Sequence, residues 1–289
     1  MKPAGFEYHR AESVEEAIQL METLGEDAKF IAGGQSLVPM MNFRMARPSA
    51  LVDITRIPGL DYVGLESGSL CVGALTTHQT VERLSDPAVL TGFSVLARAA
   101  RWIGHLPIRT QGTVGGSFAH ADPAAEWCIL GLLLDAEVVA VGPSGRRTIS
   151  AVDFFVGFLE TALAPHEMII EVRFPAPAPR ASFHELARRH GDFALVAAGA
   201  SLDLREDVCR SARVVLGGVG AAPVRAGGAE RVLTGATIGP RVLDEAAKEA
   251  VQGLAPVSDV HASGRHRLRL GEVLVRRALS DSTRDGSPP

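Results

Sequence analysis

The sequence predicts an α+β fold in two domains, and three observations lead there. A chain of 289 residues is long enough for about two domains of roughly 100–200 residues each. Its opening order of helix, strand, glycine-rich turn and strand suits an α/β or α+β module. A proline-punctuated stretch, Pro175-Ala176-Pro177-Ala178-Pro179, then separates that region from a smaller set of strands and helices.

In chain order, Ser13 and Glu16 form a capping box, and Val14, Ala17, Ile18, Met21 and Leu24 recur at helical spacing until Gly25 stops the helix. Lys29–Ala32 and Leu51–Ile54 read as short strands around a Gly33-Gly34 loop, the second bounded by Pro48 and Pro58. A strand over Ser69–Ala74 leads to helical segments at Thr77–Leu84 and Val95–Ile103. A second glycine cluster follows, Gly112-Thr113-Val114-Gly115-Gly116-Ser117. Asp122-Pro123 reads as an N-cap with proline at the first helical position, opening a helix that turns Trp127, Leu130 and Leu134 inward. Glu137–Val141 and Arg147–Ile149 form a hairpin across Gly142-Pro143-Ser144-Gly145, and Met168–Phe174 is a further strand. The domain boundary falls at the proline connector. Beyond it, Ala194–Leu204 and Ala212–Gly217 read as strands, and Pro240–Val251 and Glu272–Leu279 as helices. The polar stretch Asp281–Pro289 reads as a disordered tail. The expected division is 1–175, with subdomains at about 1–57 and 58–175, then 176–280, then the tail at 281–289.

Composition narrows the function. With 46% hydrophobic and 21% charged residues the chain is ordinary globular protein. A net charge of −4 provides no positive field for a phosphate backbone, so nucleic acid is not an expected partner. The longest apolar stretch, Trp127 to Leu134, is far short of the roughly 18 residues that a membrane span requires. Charged residues interrupt the N-terminus before an apolar signal region forms, so a soluble, cytoplasmic protein is expected. Cys71, Cys128 and Cys209 lie far apart and never form Cys-x-x-Cys, which gives no zinc or iron–sulfur spacing; they read as buried reduced thiols.

The glycine clusters carry the chemistry. A phosphate-bearing cofactor needs backbone N–H groups at close range, and glycine permits that approach. Gly33-Gly34-Gln35-Ser36 after a strand, and Gly115-Gly116-Ser117 ahead of a helix, both fit; tight turns are the alternative at each. Neither is a P-loop or a Gly-x-Gly-x-x-Gly fingerprint, so a diphosphate held between two separate loops would belong to another architecture.

Ala32-Gly33-Gly34-Gln35-Ser36-Leu37-Val38-Pro39, Arg47-Pro48, Leu51–Ile54, the run Gly112 to Ala125, Asp153-Phe154-Phe155 and Arg189-His190-Gly191-Asp192-Phe193-Ala194 resemble the FAD-binding medium subunit of molybdenum hydroxylases, the family of the carbon monoxide dehydrogenase and xanthine dehydrogenase medium subunits. The resemblance covers nearly the whole chain. It implies a vanillyl-alcohol-oxidase-like (PCMH-type) FAD-binding domain of two α+β subdomains, followed by a C-terminal α+β domain. It also implies non-covalent FAD, with the loop Ile31, Ala32, Gly33, Gly34, Gln35, Ser36 and Leu37 around the diphosphate and Thr113, Gly115, Gly116 and Ser117 supporting it. His120 and Glu126 fall at further polar contacts, Glu126 where relatives often have Asp for the ribityl hydroxyls; Ile103 and Ile169 match apolar positions beside the cofactor. Phe193 matches an aromatic cover over the isoalloxazine, Tyr in some relatives.

Read from the residues alone, several of these positions have a second account. Ile103 and Ile169 are equally plain core residues. Glu126 stabilises a helix N-terminus whatever it binds, Phe193 beside a Gly191-Asp192 turn is also a core aromatic, and His120 is a surface or hydrogen-bonding histidine with no second histidine at a metal spacing. The basic run Arg265-His266-Arg267-Leu268-Arg269, with Arg276-Arg277, reads as a solvated helix face, or as a contact with another subunit under the resemblance. No catalytic side chain and no metal ligand is nominated. The expected function is an electron-transfer flavoprotein subunit, receiving electrons from two [2Fe-2S] clusters in a small partner and a molybdenum–pterin centre in a large one, and passing them to NAD or a quinone. A dimer of heterotrimers is the assembly the resemblance implies. A self-sufficient flavin oxidoreductase and a non-enzymatic assembly module are the alternatives.

Overall fold

The computed structural model describes residues 2–284, whose strands form three main sheets and one two-stranded ribbon. The first sheet is parallel, in the order β1-β3-β2, from β1 (Glu7–Arg10), β2 (Lys29–Ile31) and β3 (Ala50–Asp53). Between β1 and β2 runs α1 (Val14–Leu24), which turns Ala17 and Met21 onto Val52 of the sheet. Ser13 Oγ accepts the Glu16 N–H at 3.1 Å, but the Glu16 carboxylate reaches back to the N–H of Glu12 (2.8 Å), so the box closes one residue early. Gly25, at φ +83°, ends the helix. A short helix, α2 (Leu37–Asn42), and strand β1 carry no clear apolar period, and neither is expected from the sequence.

The second sheet is antiparallel, in the order β4-β5-β10-β6-β7. It consists of β4 (Val63–Glu66), β5 (Ser69–Gly73), β6 (Glu137–Gly142), β7 (Gly145–Ser150) and β10 (Met168–Phe174). Five helices join β5 to β6: α3 (His78–Glu82), α4 (Pro87–Ala100), α5 (Leu106–Arg109), α6 (Val114–His120) and α7 (Glu126–Leu133). After β7 come α8 (Ala151–Phe154) and the ribbon of β8 (Phe155–Gly157) with β9 (Glu160–Thr161). Trp127, Phe93, Phe118, Phe154 and Phe174 are fully buried in this core, each contributing about 1.5–3 kcal/mol by leaving water. All residues of α7 after Glu126 are buried, so its pattern is apolar all round.

Two helix starts differ from expectation. The Asp-Pro signal works at Asp86-Pro87, where Asp86 Oδ1 accepts the Ala88 N–H at 2.9 Å and opens α4 well before Val95. At Asp122-Pro123 the same dipeptide makes only a turn, with Asp122 Oδ1 on the Ala124 N–H (2.8 Å). The Pro123 carbonyl is instead taken by the Gly218 N–H at 3.1 Å, and the helix begins at Glu126.

The third sheet, β11-β12-β13-β14, is antiparallel: β11 (Ala181–Leu186), β12 (Val196–Arg205), β13 (Val208–Gly217) and β14 (Val224–Arg225). It is packed by α9 (Gly227–Leu233), α10 (Pro240–Glu249) and α11 (Gly264–Ser282) around Leu216, Leu243, Val275 and Leu279. Helix α11 corrects two expectations. It begins at Gly264, eight residues ahead of Glu272, under a Ser263 cap. It also absorbs the start of the supposed tail: Asp281 bonds His184 (2.8 Å), and Ser282 is buried against the Ser182 hydroxyl (3.0 Å) and the Ala200 carbonyl (3.1 Å). Residues 285–289 of that segment lie outside the described residues. Arg267 is not on a solvated face either: it is 8% exposed, with its guanidinium on the Leu195 carbonyl and on Asp259 (2.6 Å).

Candidate functional site

The first glycine loop leaves β2 and enters α2. Gly34 sits at φ +68°, a left-handed conformation that favours glycine, and the Gln35 amide donates to the Gly33 carbonyl at 3.0 Å. The Val38 N–H closes the first turn on the Gly34 carbonyl (3.0 Å). Among the described residues no hydrogen bond takes the N–H of Gly33, Gly34, Gln35, Ser36 or Leu37. Consecutive unpaired N–H groups at a helix start form an anion cradle.

The second cluster is built differently. Thr113 caps α6, its Oγ1 accepting the Gly116 N–H at 3.1 Å. The N–H groups of Val114, Gly115 and Ser117 go to the carbonyls of Thr76 (2.9 Å), Ala74 (3.0 Å) and Thr113 (3.0 Å). Gly115 is buried because a Cβ there would stand 2.6 Å from that of Ala74. Outward donors are therefore concentrated in the first loop, while the second cluster is tied to the segment after β5 and positions its neighbour.

The two loops meet. A Cβ on Gly33 would lie 1.9 Å from the Gln111 carbonyl oxygen and 2.9 Å from Gly112 Cα. Gly112 in turn packs on His78, where a Cβ would lie 2.6 Å from Nε2. His78 is buried, and its Nδ1 accepts the Trp127 indole N–H at 3.0 Å. Burial first, and repulsion from Arg109 second, push its pKa down to about 4, so the ring is neutral at pH 7. This Gly33–Gly112–His78–Trp127 stack was not legible in the sequence, since its residues are far apart and belong to no motif.

Glu126 opens α7, half-buried, and its carboxyl meets that of Glu185 on β11. Burial raises the pKa of both; the charge of Asp122 adds to the rise at Glu126, and Glu126 adds to the rise at Glu185. His120 ends α6 half-buried, its pKa lowered by burial and partly restored by Asp122. Ile103 and Ile169 are 8% and 4% exposed and belong to the central core. Phe193 is no core aromatic: it is 71% exposed and, with Phe158 of the β8–β9 ribbon, lines a cavity of about 760 Å³. Asp122, Asp192, Gly218 and Arg267 complete that wall, and neither glycine loop takes part in it. The structure thus brings Gly33 against Gln111–Gly112, and sets Glu126 four residues after the Asp122 edge of the cavity.

Comparison with known proteins agrees with this layout. Residues 4–177 match the family described as FAD binding domain in molybdopterin dehydrogenase, and residues 181–282 the CO dehydrogenase flavoprotein C-terminal domain. The chain is 41% identical to the 6-hydroxypseudooxynicotine dehydrogenase complex subunit alpha of Paenarthrobacter nicotinovorans, over 100% of this chain and 98% of the relative. It superposes on a carbon monoxide dehydrogenase structure from Hydrogenophaga pseudoflava with a TM-score of 0.94 and 35% identity, covering 98% of this chain and 99% of that one. Quinoline 2-oxidoreductase from Pseudomonas putida 86 gives a TM-score of 0.92 and 37% identity, with the same coverage. With both family domains present in order and relatives matched along their full length, the chain belongs to the FAD-binding medium subunits of molybdenum hydroxylase-type dehydrogenases.

Proposed function

We propose that the chain binds FAD non-covalently and carries electrons from the iron–sulfur clusters of a small partner subunit, filled from a molybdenum–pterin centre in a large one, to an external acceptor such as NAD or a quinone. The observation that carries this reading is the row of unpaired N–H groups from Gly33 to Leu37, an anion cradle in a domain of this family. The residues fit the cofactor. The cradle would take the diphosphate, with Ile31 and Ala32 leading into it; Thr113, Gly115, Gly116 and Ser117 would hold the neighbouring wall in place. Ile103 and Ile169 would supply apolar surface, Glu126 and His120 polar contacts, and Phe193 a ring at the cavity mouth.

When bound, FAD supplies the redox chemistry, and this chain supplies binding, orientation and exclusion of water. No side chain of this chain needs to act as a general acid or base. The test is purification of the chain with its neighbours. FAD released by acid at one per chain, with molybdenum and iron in two co-purifying subunits, is the expected result. A colourless chain that takes up no FAD on titration would overturn the reading, and substrate turnover by the flavinated chain alone would replace it with that of a self-sufficient oxidoreductase.

A further inference from the structure

His78 belongs to no motif that the sequence singles out, yet it touches the second glycine cluster twice. Its backbone N–H donates to the Gly112 carbonyl at 3.0 Å. Its ring packs on the same residue, where a Cβ on Gly112 would stand 2.6 Å from Nε2 and 2.9 Å from Cδ2. The neighbouring ties are made by backbone alone: Thr77 pairs with Thr113 in an isolated antiparallel bridge, and the carbonyls of Thr76 and Ala74 take the N–H groups of Val114 and Gly115. At His78 a side chain joins in and sets where the cluster stands.

Two features fix the ring itself. An indole N–H only donates, so the bond from Trp127, a fully buried residue of α7, makes Nδ1 the acceptor and leaves the proton of the neutral ring on Nε2. A second proton would set two donors, Nδ1–H and the indole N–H, against each other across 3.0 Å. Arg109 is the charged group acting on the ring, and its guanidinium is held by Glu82 (2.8 Å) and the Gly104 carbonyl (2.8 Å). The imidazole is therefore a stiff, neutral strut of one tautomer between the core and Gly112. Gly112 Cα in turn closes on Gly33, 2.9 Å from where a Cβ would go, and Gly33 carries the first N–H of the cradle. We propose that His78 is a positioning residue for the cofactor's diphosphate: its ring holds Gly112, and through Gly112 the Gly33 end of the cradle, in the arrangement that binds that anion. The inference rests on the FAD reading above and gives a role in it to a residue behind the cradle. A residue acting this way affects ligands that carry a diphosphate and spares those that do not.

The test is a binding titration on the full chain, purified with its partner subunits and stripped of flavin, with FAD, ADP and riboflavin as probes. His78→Leu offers Trp127 no acceptor and takes the flat ring away from Gly112. It should weaken FAD and ADP by about tenfold or more, while riboflavin, which lacks the diphosphate, stays within about threefold of its original affinity. His78→Gln offers the indole a side-chain oxygen and should bring FAD and ADP back to within about threefold. Gly112→Ala attacks the same contact from the other side. Because one contact is broken in both, the Leu–Ala double variant should bind FAD at most about threefold more weakly than the poorer single variant. FAD or ADP binding unchanged in His78→Leu would overturn the proposal, as would riboflavin weakened in step with them, a glutamine variant no better than the leucine one, or losses that multiply in the double variant. An unsubstituted chain that binds riboflavin but not ADP, and FAD no tighter than riboflavin, would instead overturn the diphosphate reading of the cradle on which this one stands.

Discussion

At the residue scale, glycines of similar appearance do different work. Gly33 is small because the Gln111 carbonyl occupies the space where a Cβ would go, 1.9 Å away, whereas Gly116 is exposed and its Cβ would meet only the Thr113 hydroxyl at 2.8 Å. Gly33→Ala should therefore part the two loops, abolishing FAD retention and lowering the melting temperature. Gly116→Ala should keep FAD and lose at most the cap, about 1 kcal/mol. Equal FAD content and equal melting in the two variants would show that the loops do not meet at Gly33. His78 gives a second prediction. Its folded pKa of about 4 lies below the ordinary 6.5, so the unfolded chain binds the extra proton between those values, and stability falls as pH drops from 6.5 towards 4. The full loss is about 3 kcal/mol. His78→Gln, which stays neutral, should flatten that part of the stability curve; a curve unchanged by the substitution would mean that His78 titrates normally.

At the element scale, what could be read from the sequence followed local rules, and what could not depended on distant partners. Helix α1 was legible because its cap, its apolar period and its Gly25 stop are all encoded within the segment. The β6–β7 hairpin was legible for the same reason. Strand β1, Glu-Tyr-His-Arg, has no apolar face to betray it; it is held by parallel pairing with β3, 43 residues further along, and by the Tyr8 hydroxyl on Asp53. The start of α7 was misplaced because the Pro123 carbonyl is committed to Gly218, a partner no local pattern announces. The candidate site divides along the same line. The cradle loop is a local motif, whereas the Gly33–Gln111 contact, the His78–Trp127 bond and the Glu126–Glu185 pair are long-range. Helix α11 shows the cost of reading charge locally: its Arg267 is an internal anchor between Asp259 and the Leu195 carbonyl. Arg267→Met should lower stability by on the order of 2–3 kcal/mol, whereas Arg269→Met, at a residue with no hydrogen bond or ion pair among the described residues, should leave the denaturation midpoint nearly unchanged. Similar effects of the two would return α11 to a uniformly solvated basic helix.

At the scale of the whole molecule, the two family domains are joined by a shared core and by polar ties. Ala194, Ala197 and Val215 of the C-terminal region pack into the same cluster as Phe118 and Trp127. Asp135 receives Arg213 at 2.6 Å and Arg225 at 2.8 Å from the third sheet. The Gly218 N–H on Pro123, and the Glu126–Glu185 pair, span the same boundary. Calorimetry should accordingly show one cooperative transition and not two. Its pH dependence carries a sign. Both carboxyls of the pair have pKa values raised chiefly by burial, with Asp122 adding to the rise at Glu126 and Glu126 to that at Glu185, so above the ordinary carboxylate range the folded chain holds protons that the unfolded chain releases. Their contribution to stability is complete at acidic pH and is lost as pH rises through the raised values. The midpoint should therefore fall as pH rises from about 4.5 to about 8, a window that overlaps that of His78 with the opposite sign, and Glu185→Gln should reduce that slope. Saturating FAD at about a hundred times its dissociation constant should add roughly 2.7 kcal/mol to the whole transition. Because the two domains share one core, FAD should raise the single transition without splitting it. A second transition that FAD leaves in place would show that the C-terminal domain melts independently of the cofactor.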